Sequence, residues 1–224
     1  MKGKISAFFD MDGTLTRVRS LESSFIAFLM KNRVIGSFQV MQMAGYFLKT
    51  FWKDPTLSLT RNKMYLKGIS RTRVERLAGE FVECCGRNLL HPEGVRLLHE
   101  HADRGHINIL VTGSLGILVE PLARNLRLPF ARTYATRLRE RSGRMTGEID
   151  GIHFYGESKR ILAIRLADEL DISLSKSYCY ADAKSDIPLL DLFGHPVATN
   201  PDRYLAQAAV RNNWTTLLFE KKNR

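Results

Sequence analysis

Cysteine is scarce in this chain of 224 residues, which contains only Cys84, Cys85 and Cys179. Two of them are adjacent and the third lies in an apolar run, so the sequence offers neither the spacing of a zinc site nor a framework of disulfides. A reducing, cytoplasmic setting is therefore expected. The hydrophobic share of 44% and the charged share of 25% are typical of a globular protein with a core of its own.

Long apolar runs are missing as well. No stretch of about 18 uncharged apolar residues occurs, so the sequence predicts no membrane-spanning helix. The first apolar run ends at Asp10 and Asp12, which come too early for the apolar region of a signal peptide. A secretory leader is therefore not expected.

Acidic residues are few compared with basic ones: 23 Asp and Glu stand against 34 Lys and Arg, and the net charge is +11. Residues 17–87 contain 13 of the basic residues and only five of the acidic ones. This imbalance favours an anionic substrate or partner. No nucleic-acid-binding motif is present and aromatic residues do not alternate with the basic ones, so nucleic acid is not the expected partner.

Apolar runs that alternate with helical patterns predict an α/β fold. Strands are predicted at 5–10, 107–111, 177–181 and 197–199, and a hairpin at 131–151. Helices are predicted at 92–104, 115–126, 158–170 (capped by Ser158) and 185–193. From residue 88 onward this alternation predicts a Rossmann-like, doubly wound and mainly parallel sheet.

Residues 17–87 interrupt that alternation. They have a helical pattern with breaks at 53–55 and 68–70. We therefore expect a catalytic core formed by residues 1–16 and 88–224, and an inserted helical cap formed by residues 17–87.

Two carboxylates, Asp10 and Asp12, follow the first predicted strand and lead into Gly13 and Thr14. Ligands of open α/β sheets bind at the carboxyl ends of the strands. A carboxylate in that place can hold a hard cation, and it can also attack phosphorus. The alternative is an ordinary Asp-Gly turn.

Two further segments offer groups to an anion. Thr112 and Gly113 follow the second predicted strand with a hydroxyl and backbone N–H groups, although simple helix capping by Ser114 is the alternative there. Lys159 lies in the first turn of a predicted helix, where the helix dipole disfavours a cation. It either meets a negative partner or is an exposed surface lysine.

Asp182 and Asp186 lie between the strand predicted at 177–181 and the next helix. The helix dipole favours acids at such a place. Four carboxylates at the ends of two strands would nevertheless repel one another strongly unless a cation lay between them. The sequence therefore predicts a cation site.

These four segments, in this order, resemble the motifs of the haloacid dehalogenase-like phosphohydrolases. The helical insertion resembles the small cap of the phosphoserine-phosphatase-like subfamily, to which the segment 198–202 and Trp214 are also similar. The resemblance implies a Mg²⁺-dependent phosphomonoesterase that forms an aspartyl phosphate and acts on a small or lipid-linked phosphomonoester.

The resemblance also implies a role for each residue. Asp10 is the nucleophile, and Asp12 is the general acid and base. Lys159 neutralises charge, and it binds the substrate phosphate together with Thr112 and the backbone donors near Gly113. The metal ligands are Asp10, the backbone carbonyl of Asp12, Asp182, and, through water, Asp186.

The chain departs from phosphoserine phosphatases at Arg19, where those enzymes have the glutamate that holds the substrate ammonium. Ala183 and Ser185 also stand where those enzymes have Gly and Asn. Because Arg19 would repel an amine, a substrate with an additional anionic group is expected, and phosphoserine phosphatase activity is the alternative.

Residues 25–52 are rich in Phe, Met and Leu and include or adjoin Lys31, Arg33, Lys49 and Lys53. Packing inside the cap is one interpretation of these apolar residues. The other interpretation is a protein surface that binds peripherally to the inner face of an anionic membrane. A non-catalytic basic module that binds anionic membrane or nucleic acid is the alternative from a different functional class.

Overall fold

The computed structural model describes residues 3–52, 58 and 61–219. Its strands are β1 (Ser6–Phe9), β2 (Ile107–Leu115), β3 (Arg132–Arg141), β4 (Arg144–Asp150), β5 (Tyr178–Ala181), β6 (His195–Thr199) and β7 (Thr215–Leu217). Its α-helices are α1 (Leu21–Lys31), α2 (Ser37–Phe51), α3 (Arg71–Leu89), α4 (Pro92–Asp103), α5 (Gly116–Asn125), α6 (Glu157–Leu170), α7 (Ile187–Leu190) and α8 (Arg203–Arg211).

The strands form one sheet in the order β4-β3-β2-β1-β5-β6-β7. Neighbouring strands are parallel except β3 and β4, which form the predicted antiparallel hairpin. The sheet is therefore the doubly wound, mainly parallel sheet that the sequence predicts. The strand order reverses at β1, which lies between β2 and β5, and this is where such sheets bind ligands.

Successive side chains of a strand point to opposite faces of the sheet. Because the strands are apolar on both faces, helices cover both. Phe9 belongs to the larger hydrophobic core, with side chains from α1, α3, α4 and α5. Phe8 belongs to the smaller core, with side chains from α6, α7 and α8. With both faces buried, the strands are short continuous apolar runs, which is why they could be recognised in the sequence.

The chain enters and leaves the helical block, residues 17–87, through two segments that lie next to each other. Thr16 and Leu90 form an isolated antiparallel bridge at its two ends. The Gly68 N–H also donates a 2.8 Å hydrogen bond to the Met145 carbonyl in β4. The block is thus attached to the core at its ends and to the hairpin in its second half.

Some predicted boundaries are wrong. β2 runs on through Thr112 and Ser114, with an irregular register against β3, where a loop was predicted. Ser158 does not cap α6, because Gly156 occupies that position and the Ser158 hydroxyl donates to the His153 carbonyl over 2.7 Å. The helix predicted at 185–193 is a 3₁₀ turn, Lys184–Asp186, followed by the short α7.

Two elements near the C-terminus were not predicted. Asp202 caps α8 by accepting from the Leu205 N–H, and β7 pairs in parallel with β6 at the sheet edge. The predicted break at 53–55 lies outside the described residues.

Candidate active site

Asp10 lies at the carboxyl end of β1, where the strand order of the sheet reverses. Its N–H donates a 3.0 Å hydrogen bond to the Tyr180 carbonyl of β5, so the backbone remains anchored to the sheet one residue past the strand. Only 6% of Asp10 is exposed. The first predicted site residue is therefore fixed at the expected edge of the sheet.

Lys159 joins Asp10 and Asp186 in a buried cluster. Its Nζ lies 2.8 Å from Oδ1 of Asp10 and 2.8 Å from Oδ1 of Asp186. Burial alone would lower the pKa of Lys159, but the two carboxylates raise it above its ordinary value, so the ammonium stays charged. The alternative of an exposed surface lysine is excluded, because Lys159 is 3% exposed.

Asp182 completes a group of three carboxylates. One oxygen from each of Asp10, Asp182 and Asp186 lies within 4.8 Å of the other two. Burial, followed by repulsion from the other two carboxylates, raises the pKa of Asp182 to about 8. Burial also outweighs the effect of Lys159 and raises the pKa of Asp186 to about 6. The cluster thus carries negative charge that a single lysine does not neutralise.

This cluster fits a divalent cation. Carboxylate oxygens are the ligands that Mg²⁺ prefers, and a cation between them would remove the repulsion. Gly13 allows Asp182 to approach, since a Cβ on Gly13 would lie 2.1 Å from Asp182 Oδ2 and the backbone φ there is 70°. A side chain at this position would displace the carboxylate.

The carboxylate of Asp12 accepts a hydrogen bond on each of its oxygens. The Ser114 hydroxyl donates to Oδ2 over 2.6 Å, and the Leu21 N–H at the start of α1 donates to Oδ1 over 2.8 Å. Burial raises the pKa of Asp12, while these two hydrogen bonds oppose the increase. A carboxyl group with a raised pKa is a better proton donor at a given pH than an ordinary aspartate, because more of it is protonated. Ser114 is a site residue that the sequence analysis treated only as a possible cap.

Thr112 and Gly113 lie in the last part of β2, beside the end of β1. The register pairs Leu110 with Phe9, so Thr112 is two residues beyond the level of Phe9. Thr112 is fully buried, and its Oγ1 accepts a 3.1 Å hydrogen bond from the Ser114 N–H, which leaves the hydroxyl hydrogen free to donate. The structure therefore brings this segment to the same edge of the sheet as Asp10.

Arg19 is exposed and lies two residues before Leu21, the α1 residue that binds Asp12. Glu22, an acidic residue of the helical block, is within electrostatic range of the site. Glu22 is paired with the buried Lys63 and accepts a 2.8 Å hydrogen bond from the Tyr65 hydroxyl. Its charge contributes to the raised pKa of Asp12. Glu22, Lys63 and Tyr65 could not be recognised as a group in the sequence, because only the fold brings them together.

The expected contact with anionic membrane has no support in the structure. Among the described residues, no helix is both long and apolar enough to cross a membrane. Packing inside the cap is confirmed for part of the run 25–52: Phe25 and Leu29 of α1 are fully buried, and Met43 of α2 packs against the larger core. Other apolar residues of α2 are not packed, since Phe38, Met41 and Leu48 are 58%, 65% and 67% exposed.

Comparisons with known proteins show the family of this chain. The family model described as haloacid dehalogenase-like hydrolase matches residues 7–191. The chain is 28% identical over 227 residues to the inhibition of morphological differentiation protein of Streptomyces azureus, covering 99% of this chain and 80% of the relative. It is 27% identical over 230 residues to a probable phosphatase of Mycobacterium tuberculosis, covering 98% and 77%. It is 26% identical over 223 residues to histidinol-phosphatase of Neisseria meningitidis, covering 96% and 98%.

Solved structures share the fold. A protein of unknown function from Bordetella pertussis superposes with a TM-score of 0.80 at 24% identity, covering 96% of this chain and 99% of that one. A phosphoserine phosphatase in apo form superposes with a TM-score of 0.64 at 19% identity, covering 98% and 95%. At these identities the likeness concerns the fold.

Proposed function

This chain belongs to the haloacid dehalogenase-like hydrolases and is a phosphatase, and from that premise we propose that it cleaves phosphomonoesters through an aspartyl phosphate on Asp10. The observation that carries the proposal is the buried cluster in which Lys159 lies 2.8 Å from both Asp10 and Asp186. Asp182 adds a third carboxylate to it. Phosphoryl transfer depends mainly on positioning and on neutralising charge, and this cluster provides both.

In the first step, a carboxylate oxygen of Asp10 forms a bond to phosphorus as the ester bond to the leaving oxygen breaks. Lys159 binds Oδ1 of Asp10, so Oδ2 is the oxygen free to attack. Asp12 gives its proton to the leaving oxygen, and its raised pKa supports this role as a general acid.

In the second step, the ionised Asp12 takes a proton from water. The water oxygen then forms a bond to phosphorus and the acyl phosphate bond to Asp10 breaks, which releases inorganic phosphate. Asp12 is protonated again at the end of the cycle. Because Ser114 and the Leu21 N–H fix its two oxygens, the same carboxyl group is in place for both steps.

The phosphoryl group would be bound by the Thr112 hydroxyl, the backbone N–H groups near Gly113 and Lys159. A bound Mg²⁺ supplies further neutralisation of the charge on the phosphoryl oxygens. Asp10, Asp182 and the backbone carbonyl of Asp12 would hold the ion, with Asp186 acting through water.

We also propose that residues 17–87 form a cap domain over this site, with residues 1–16 and 88–224 as the core. The hydrogen bond from the Leu21 N–H to Asp12 supports this, because it joins the first helix of the block to the proposed acid. A cap in that place excludes water and selects substrates. Arg19, at the entry to α1, would favour a substrate with an additional anionic group over phosphoserine.

The proposal is tested by release of phosphate from p-nitrophenyl phosphate. We expect turnover that requires Mg²⁺, stops in excess chelator and is abolished by Asp10→Asn. Asp168→Asn, an equivalent change at an exposed position of α6, is the control and should retain full activity. If no phosphate is released and the protein instead binds nucleic acid or anionic vesicles in a salt-sensitive manner, it is a binding module.

A further inference from the structure

His153 is buried beside the phosphate-binding segment and takes no part in the two steps above. Its side chain is only 7% exposed, and ring atom Nε2 has no hydrogen-bond partner among the described residues. Burying a polar atom without a partner is costly, so such atoms are uncommon in proteins unless a ligand or water satisfies them. Nε2 is therefore a candidate contact for the substrate.

The ring of His153 is fixed from two sides. Its Nδ1 lies 3.0 Å from the Thr136 hydroxyl oxygen, and the ring is parallel to that of Tyr155 with 5.9 Å between the centroids. The opposite edge faces Gly113, where an added Cβ would lie 3.3 Å from Cε1 and 3.9 Å from Nε2. The unpartnered nitrogen thus lies against the residue that follows Thr112.

Charged side chains of both the carboxylate cluster and the helical block act on His153. Burial, followed by the positive charges of Lys63, Arg61 and Lys159, lowers the pKa of His153 to about 4. Lys159 belongs to the core cluster and Lys63 to the helical block, so the ring is within electrostatic range of both. Lys63 is paired with Glu22, whose charge reaches Asp12, the proposed donor to the leaving oxygen.

The chemistry of Nε2 limits what it can bind. The ring is neutral at pH 7, so it does not act as a cation toward an anionic group. Thr136 can donate to Nδ1 or accept from it, and Nε2 is then a donor or an acceptor respectively. A hydroxyl group satisfies either state because it both donates and accepts.

We propose that Nε2 of His153 binds a hydroxyl group of the leaving alcohol, which makes His153 a specificity-determining residue for phosphomonoesters of polyols. This inference rests on the proposed function and adds the substrate class to it. The hydroxyl contact is separate from the additional anionic group that Arg19 would meet.

Two substrates of equal chain length isolate this contact. Glycerol 3-phosphate carries a hydroxyl on each of the two carbons beyond the ester carbon, and propyl phosphate carries none. We expect the wild type to have a higher kcat/KM for glycerol 3-phosphate. His153→Asn, whose amide lies near the former Nδ1 position, should reduce this preference about 3- to 10-fold, which corresponds to the loss of one neutral hydrogen bond.

His153→Gln is the matched variant, because its longer side chain places an amide near the former Nε2 position. It should keep the preference within about twofold of the wild type, whereas a purely structural role would affect both variants and both substrates alike. The inference is overturned if the wild type prefers neither substrate, or if His153→Asn leaves the ratio unchanged. Hydrolysis of p-nitrophenyl phosphate in the same assay shows whether the proposed function stands when the inference fails.

Discussion

Lys159 and Asp10, which are 149 residues apart in the sequence, are joined by a buried hydrogen bond of 2.8 Å between Nζ and Oδ1. A buried ion pair of this kind contributes little net stability, because removing both charges from water costs about as much as their attraction returns. In the proposed mechanism this pair serves the chemistry: the ammonium would fix one carboxylate oxygen of Asp10 and leave the other free to attack an anionic phosphate.

Removal of metal should expose the repulsion among the three carboxylates. Folding raises the pKa of Asp182 to about 8 from 3.8, so the folded state binds its proton more tightly than the unfolded state does. The stability that this proton contributes is therefore lost as pH rises toward and through 8. In chelator, the contribution of Asp182 should lower the melting temperature between pH 6 and pH 8, with little further change above that range.

Mg²⁺ should reverse that loss. An ion at 100 times its dissociation constant stabilises the folded state by about 2.7 kcal/mol. Asp182→Asn should raise the melting temperature in chelator at pH 8 and abolish the increase caused by Mg²⁺, whereas Asp168→Asn should behave as the wild type. An undiminished Mg²⁺ effect in Asp182→Asn would place the ion elsewhere.

Ser114 should set the pH profile through Asp12. Because its hydroxyl hydrogen bond lowers the pKa of Asp12, Ser114→Ala should raise that pKa. The alkaline limb of kcat/KM for p-nitrophenyl phosphate, where the acid form of Asp12 is lost, should then move to higher pH. If only the height of the profile changes, Ser114 does not act through the proposed acid.

Arg19 should favour substrates that carry a second anionic group. Arg19→Glu is expected to lower kcat/KM for phosphoglycolate, relative to p-nitrophenyl phosphate, about 3- to 10-fold through the reversed charge. Arg73→Glu makes the same change at an exposed position of α3 and is the control. Equal selectivity in both variants would show that Arg19 is a surface residue and would restore phosphoserine as a candidate substrate.

His101 should make the fold sensitive to acid. Burial, followed by the charges of His106 and Arg104, lowers the pKa of His101 from 6.5 to about 4. Its ring binds the Tyr180 hydroxyl and is neutral in the fold. The unfolded chain therefore takes up this proton first, and the contribution of His101 to stability falls between pH 6.5 and pH 4 by up to about 3 kcal/mol, at 1.36 kcal/mol per unit of pKa.

The measurement for this prediction is the free energy of unfolding at pH 7 and at pH 4.5. His101→Gln should show a smaller difference between the two values than the wild type, whatever its stability at pH 7. His99→Gln, at an exposed position of the same helix, should keep the difference of the wild type. An unchanged difference in His101→Gln would assign the acid sensitivity to other groups.

The sequence was sufficient for features that depend on local pattern. β1 and β5 are short apolar runs, and each is followed directly by an aspartate, Asp10 after β1 and Asp182 after β5. Both the strands and the acids at their carboxyl ends could therefore be predicted. The environment of Lys159 could not be predicted from local pattern. Its position in a helix is local information, but its partner is 149 residues away, so the sequence left open whether it was buried or exposed.

Contacts between distant segments account for what was missed. Ser114 binds Asp12 across 102 residues, and Glu22 meets Lys63 and Tyr65 across 41 and 43 residues. No short-range periodicity encodes such pairs. The end of β2 was misplaced for a related reason: pairing with β3 extends the strand through the Thr112 segment, although glycine and two hydroxyl residues there are typical of a loop.

The central claim, a phosphoenzyme on Asp10, is tested most directly by borohydride trapping. Asp12→Asn should slow turnover about 10²- to 10⁴-fold, because the proton transfers lose their carboxyl group, and should let the intermediate accumulate. Borohydride reduces an aspartyl phosphate to homoserine, which peptide mass spectrometry locates in the sequence. The account predicts homoserine at position 10, formed only in the presence of substrate and Mg²⁺. Homoserine at another aspartate, or none while the enzyme is turning over substrate, would contradict it.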